Sequence, residues 1–324
     1  MSTIERLIEK VDAKRQARQT PPGPGVADQP RPPEAEPAHA PQAAKTTDAL
    51  QEAEVQAEPA KPSLQPPPAR KTIRIDFDRL SEWGIYPPEG STEQFRGEFR
   101  RIKRPILSNA FGKSASLVDR GNLIMVTSSV PGEGKTFTAI NLALSIASER
   151  DHTVLLVDAD VAKSDLTRLF GLGNEPGLSD LLLHTEMDIG EVLVHTDIPK
   201  LKILPSGAYH PEMTELMASK RMTRLVNELG ERYADRAVIF DSPPVLATSE
   251  AQLLAELAGQ LAYVIQAGRT PQDVVQEAIA SLAKGRAIGL ILNRTQNLLG
   301  SGYQSGYYGY SGYGSQDEDR EPST

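Results

Sequence analysis

The side chains best suited to do chemistry stand at the ends of apolar runs. Ser129-Val130-Pro131-Gly132-Glu133-Gly134-Lys135-Thr136 follows the strand-like run NLIMVTS and precedes a helical pattern with Ile140, Ala143, Leu144 and Ala147 on one face. That is the Walker A order of strand, glycine-rich loop and helix. Gly132 and Gly134 let the backbone approach phosphate closely, and the successive N–H groups at a helix N-terminus favour its charge. Lys135 can reach the β- and γ-phosphates, and the Thr136 hydroxyl can ligand Mg²⁺. Val130, Pro131, Gly132, Glu133, Gly134, Lys135, Thr136 and Phe137 are therefore the candidate nucleotide-binding residues. Ser129 replaces the motif's first glycine, so the chain must turn there within ordinary φ/ψ. Gly112-Lys113-Ser114 follows no strand and has no upstream glycine, so it reads as a decoy.

Acidic groups end two further apolar runs. TVLLVD closes on Asp158-Ala159-Asp160, whose two carboxylates share a face in an extended chain. They suit Mg²⁺ liganding and activation of an acceptor hydroxyl, and either Asp158 or Asp160 can be the base. AVIFD closes on Asp241, the Walker B arrangement. Thr136, Asp158, Asp160 and Asp241 are the candidate metal ligands, with Lys135, Asp158 and Asp160 the candidate catalytic groups. Asn293, ending AIGLILN, is a candidate for reading the base edge.

The elements that must position these groups alternate strand with helix, and the strands are apolar on both faces. That pattern predicts an α/β fold of the P-loop NTPase type, a predominantly parallel sheet with helices on both faces. Helices are expected up to Arg104, where Pro105 would break or kink the run, and at 135–149, 212–229, 250–258 and 272–284. A lead-in from Ile73 should pack on the domain edge. The first aromatic of the 324 residues is Phe77, and thirteen of the 25 prolines lie between Pro21 and Pro68. The chain thus divides into a short amphipathic helix at 1–19, a disordered Pro/Ala-rich linker at 20–71, a folded domain at 72–299 and a flexible tail at 300–324. With no cysteine, a disulfide scaffold and a thiolate site are excluded. The absence of a signal-peptide pattern or a long apolar run leads us to expect a cytoplasmic protein, and a net charge of −8 argues against nucleic acid as a partner.

The tail holds five of the nine tyrosines, Tyr303, Tyr307, Tyr308, Tyr310 and Tyr313, spaced by Gly and Ser. Such a segment can enter a neighbour's site without unfolding anything.

Two groups of P-loop proteins carry a strand-end Asp pair. The septum-site and plasmid-partitioning ATPases place a signature Lys where this chain has Val130. The chain instead resembles the bacterial tyrosine kinases (BY-kinases) of polysaccharide loci, over about residues 75–313, through SSVPGEGKT, LLVDADV, VIFDSPPV, the tyrosine-rich tail and Glu98-x-x-Arg101-x-x-Arg104. The stretch EFRRIKRPIL is most similar to the exosortase-associated subgroup. The resemblance implies an ATP- and Mg²⁺-dependent protein-tyrosine autokinase that modifies the five tail tyrosines in trans and regulates exopolysaccharide synthesis and export. It implies homo-oligomerisation through Glu98, Arg101 and Arg104, in a ring or dimer. It also implies a membrane-spanning polysaccharide co-polymerase that recruits the protein to the inner face of the membrane, and a cognate tyrosine phosphatase. One departure is that Asp160 is followed by Val161, Ala162 and Lys163, where the family has an Arg; a lysine lacks the planar fork. A ParA/MinD-like ATPase switch without kinase activity is the alternative.

Overall fold

The longest apolar runs dictate the centre of the sheet. The computed structural model describes residues 71–282 and 285–295. β2 (Leu123–Ser128), β3 (Thr153–Asp158) and β6 (Arg236–Asp241) are buried at nearly every position. Parallel strands covered above and below can bury such runs. They pair as β3-β6-β2 inside an eight-stranded sheet ordered β1-β4-β5-β3-β6-β2-β7-β8. The others are β1 (Thr72–Ile73), β4 (Val194–Thr196), β5 (Leu201–Leu204), β7 (Gln260–Gln266) and β8 (Ala287–Asn293). Among the described residues every pairing is parallel except β4 with β5.

The helices are α1 (Phe77–Ser81), α2 (Glu93–Phe111), α3 (Lys135–Ala147), α4 (Asp165–Leu169), α5 (Leu178–Leu183), α6 (Ile189–Val192), α7 (Met213–Met217), α8 (Lys220–Arg232), α9 (Ser249–Leu257) and α10 (Gln272–Ser281). Alternate residues of β2 serve opposite sides of the sheet. Leu123 and Met125 join one apolar layer with Met222 and Val226 of α8, and Ile124 and Val126 join the other with Ile140 and Ala143 of α3. The lead-in contributes Ile75, Leu80 and Ile85 to the second layer, so it packs on the domain as its apolar residues imply.

Register then sets the site. Asp241 is the Cα partner of Val126 on one side and of Asp158 on the other. Two carboxylates therefore end neighbouring strands at one level, beside the strand that delivers the phosphate loop.

Three sequence expectations are corrected. The helix expected to end at Arg104 runs through Pro105 to Phe111. Proline inside a helix costs about 3 kcal/mol. Buried Ile106 and the stacking of Phe111 on His152, with ring centroids 4.8 Å apart, offset it. The single helix expected at 212–229 is two, because the Ser219 side chain accepts from the Met222 N–H and starts a new one. β1 and β4 are short strands absent from the sequence reading. On edge strand β8, Leu290 and Leu292 are exposed. The helix expected at 1–19, nearly all of the linker at 20–71 and the tail tyrosines Tyr303, Tyr307, Tyr308, Tyr310 and Tyr313 lie outside the described residues. No helix among the described residues is long and apolar enough to cross a membrane.

Candidate active site

The loop between β2 and α3 takes its shape from two glycines and one buried carboxylate. Gly132 and Gly134 have φ of 89° and 97°, a region that other residues enter at a cost. Ser129 keeps an ordinary negative φ; it is buried with its hydroxyl 2.8 Å from the Tyr263 hydroxyl. Glu133 turns inward and is 1% exposed. Its carboxylate accepts from the Val130 N–H at 2.8 Å, from the Gln266 N–H at 3.2 Å and from the Thr270 hydroxyl. The Asn293 amide donates to the Glu133 carbonyl at 2.8 Å, and its oxygen accepts from the Arg294 N–H at 2.9 Å. Loop shape is thus enforced by the ends of β7 and β8, and Asn293 holds the loop while also lining the cavity beside it.

Beneath the loop, one lysine meets three carboxylates. Lys135 Nζ lies 2.9 Å from Asp160 Oδ2, and both side chains are buried. Burial alone would lower the Lys135 pKa, but Asp241 and Asp160 together hold it above the ordinary lysine value. Asp158 Oδ2 accepts from the Thr167 N–H at 2.8 Å and from its hydroxyl at 2.6 Å. The Ser206 N–H donates to that hydroxyl oxygen at 2.9 Å, so the hydroxyl proton must point at Asp158. Burial raises the Asp158 pKa to about 6 despite these bonds. Asp241 is pushed to about 8, chiefly by burial, with Lys135 opposing and Asp158 adding to the rise. The nearby Thr136 hydroxyl favours the charged form of Asp241, whose Oδ1 is buried without any hydrogen-bond partner.

That orphaned oxygen fits a divalent cation. Among the described residues no group of three or more His, Cys, Asp or Glu side chains forms a ready cage. Mg²⁺ does not require one, since it is usually bound by one or two carboxylates together with waters and phosphate oxygens.

Above the loop is a cavity of about 420 Å³ lined by Gly132, Gly134, Lys135, Thr136, Phe137, Lys163, Asn293 and Arg294, and also by Trp83 and Ile85 of the lead-in. The structure therefore brings Lys135, Thr136, Asp158, Asp160 and Asp241 together, as the sequence implies. Glu98, Arg101 and Arg104 lie apart from this site, exposed on α2 opposite its buried Phe99, Lys103 and Ile106. Sequence reasoning missed the inward carboxylate of Glu133, the clamp of Thr167 on Asp158 and the reach of Trp83. Two of the three partners of the Glu133 carboxylate, Gln266 and Thr270, are more than 130 residues away, and nothing in local spacing signals them.

Residues 121–266 match the family model described as AAA domain. Tyrosine-protein kinase YwqD of Bacillus subtilis is 37% identical over 188 residues, covering 57% of this chain and 77% of the relative. Putative tyrosine-protein kinase EpsB of Ralstonia nicotianae is 35% identical over 205 residues, 61% of this chain but only 27% of that longer protein. The crystal structure of the VpsO kinase domain is 31% identical with a TM-score of 0.54, and the match covers 63% of this chain and 97% of that one. Identity of this level across most of one tyrosine kinase, with the fold of a kinase domain, places the chain among the bacterial tyrosine kinases: it is a nucleotide-using protein-tyrosine kinase of the BY-kinase family.

Proposed function

We propose that this kinase uses ATP and Mg²⁺ to phosphorylate its own tail tyrosines in trans, within a homo-oligomer, as part of the control of exopolysaccharide synthesis. The Lys135–Asp160 pair at 2.9 Å, beside the unpartnered Oδ1 of Asp241, is the observation that carries the reading. An arriving triphosphate competes with Asp160 for the lysine. When Lys135 moves to the phosphate oxygens, Asp160 Oδ2 loses its partner and becomes free to accept a proton. Asp158 Oδ2 already takes two hydrogen bonds from Thr167, so Asp160 is the better base. A tail phenol attacks the γ-phosphorus, its proton passes to Asp160, and the bond to the β–γ bridging oxygen breaks to release ADP. Lys135 and the loop N–H groups neutralise charge on the transferring group. Asp241 with Thr136 would hold Mg²⁺, Asp158 completing its surroundings, and the metal would offset charge on the β- and γ-oxygens.

Exposure of Glu98, Arg101 and Arg104 on one face of α2 supports their use in assembly. A membrane-spanning co-polymerase as activator, recruitment to the membrane and a cognate phosphatase complete the proposal.

Labelling with γ-³²P-ATP and Mg²⁺, followed by phosphopeptide mapping, tests it. Label should fall on Tyr303, Tyr307, Tyr308, Tyr310 and Tyr313, and vanish in Lys135→Met and in the variant with all five changed to Phe. Released phosphate without tail label, with the co-polymerase's cytoplasmic segment present, would favour the ATPase switch instead.

A further inference from the structure

The lead-in places the molecule's sole tryptophan at the mouth of the phosphate-loop cavity. Its backbone there is fixed. The Trp83 N–H donates to the Leu80 carbonyl at 3.0 Å and the Ile85 N–H to the same carbonyl at 3.1 Å, around Gly84 with φ of 72°. Leu80 and Ile85 on either side are each 1% exposed, while Trp83 is 62% exposed. Gly84 faces the Phe137 ring, which is itself packed against Phe95 and Phe99. Phe137 is thus occupied, and the open aromatic surface on this cavity is the indole.

The anchored turn holds this large aromatic face open to the cavity, where a flat ligand can cover it. The loop fixes the phosphates, and the rest of the nucleotide must extend along the cavity away from Lys135. A purine is a flat π-surface that stacks on an indole whatever its substituents. Arg294 and Asn293 stand on the same cavity and add a cationic and a polar edge.

We propose that Trp83 is the stacking platform for the purine base of the bound nucleotide. This rests on nucleotide binding at the phosphate loop and adds the residue that holds the base. The indole touches the base and takes no part in proton or phosphoryl transfer.

Intrinsic fluorescence of the full-length protein tests it, because a single tryptophan reports. ATP should quench or shift the emission, and inorganic tripolyphosphate should do so far less. By calorimetry, Trp83→Ala should weaken ATP binding roughly 5- to 50-fold, leave tripolyphosphate binding unchanged, and raise KM for ATP with kcat kept. Trp83→Phe should stay within about 3-fold of wild type. An unmoved emission spectrum with an unchanged ATP Kd in Trp83→Ala would overturn the inference while leaving the kinase reading intact. Equal weakening of ATP and tripolyphosphate would also overturn it, as a distortion of the loop. Lost tail labelling at unchanged ATP Kd would overturn it in favour of a guide for the incoming phenol. A wild-type protein that binds no ATP would instead defeat the reading beneath it. The wild-type fluorescence result does not depend on how any variant folds.

Discussion

Replacing Asp241 with Asn should make the nucleotide-free protein more stable and less responsive to Mg²⁺-ATP. Asp241 is 1% exposed, and its pKa is raised from 3.8 to about 8, chiefly by burial. A carboxyl whose folded pKa lies above its unfolded one binds a proton on folding. Between about pH 4 and pH 8 the folded state therefore holds more protons, and stability falls as pH rises through that window. At roughly 1.4 kcal/mol per unit, the cost accumulated by pH 7 is on the order of 4 kcal/mol. Asparagine removes this cost and strands no cation, since Lys135 keeps Asp160 at 2.9 Å. Asp241→Asn should gain about 2–4 kcal/mol at pH 7, and its pH slope between 5 and 8 should flatten. Urea unfolding followed by circular dichroism at pH 5, 7 and 8.5 measures both. Adding Mg²⁺ with ATP should then stabilise the wild type well above the variant. A variant less stable than wild type at pH 7, or one with the same pH slope, would refute the view that this carboxylate is held in reserve for a cation.

Further outcomes follow from the same geometry. Glu133→Ala strands three donors in a buried loop and should cost about 2–5 kcal/mol, with a raised KM for ATP; denaturant midpoints and kinetics check both. Gly134→Ala places a methyl at φ 97° against the Asn293 amide, so nucleotide binding by calorimetry should fall at least 10-fold. The double variant Arg101→Ala and Arg104→Ala removes exposed side chains, so the unfolding free energy should hold within about 0.5 kcal/mol while the mass by light scattering drops.

How much of this could be read from the chain depends on the range of the interactions. The phosphate loop and the acids Asp158 and Asp241 were legible because each follows a short apolar strand, and the strand order then brings them to one level. Helix α2 was misread at Pro105, where local propensity argues for a stop and the burial of Ile106 overrides it. β1 and β4 have only two and three residues, too few for a periodicity to show, and β1 finds its partner β4 more than 120 residues away. Thr167 looks like an ordinary helical threonine until the Ser206 N–H fixes the direction of its hydroxyl.

A buried cluster of three carboxylates and one lysine is a poor device for holding a fold together. Bringing these charges out of water costs several kcal/mol each, and apolar residues of the same volume commonly serve stability as well or better. Lys135 can neutralise one carboxylate directly, and it is paired with Asp160. Thr167 supports a second at Asp158, and Asp241 keeps an oxygen with no partner at all. A divalent cation takes the place of the proton that burial makes Asp241 hold up to about pH 8, and the lysine is released when a triphosphate offers better oxygens. Both ligands therefore relieve a cost already built into the nucleotide-free protein. The same exchange that anchors ATP frees Asp160 to take the phenol's proton, so base activity should appear only when a phosphoryl donor is in place.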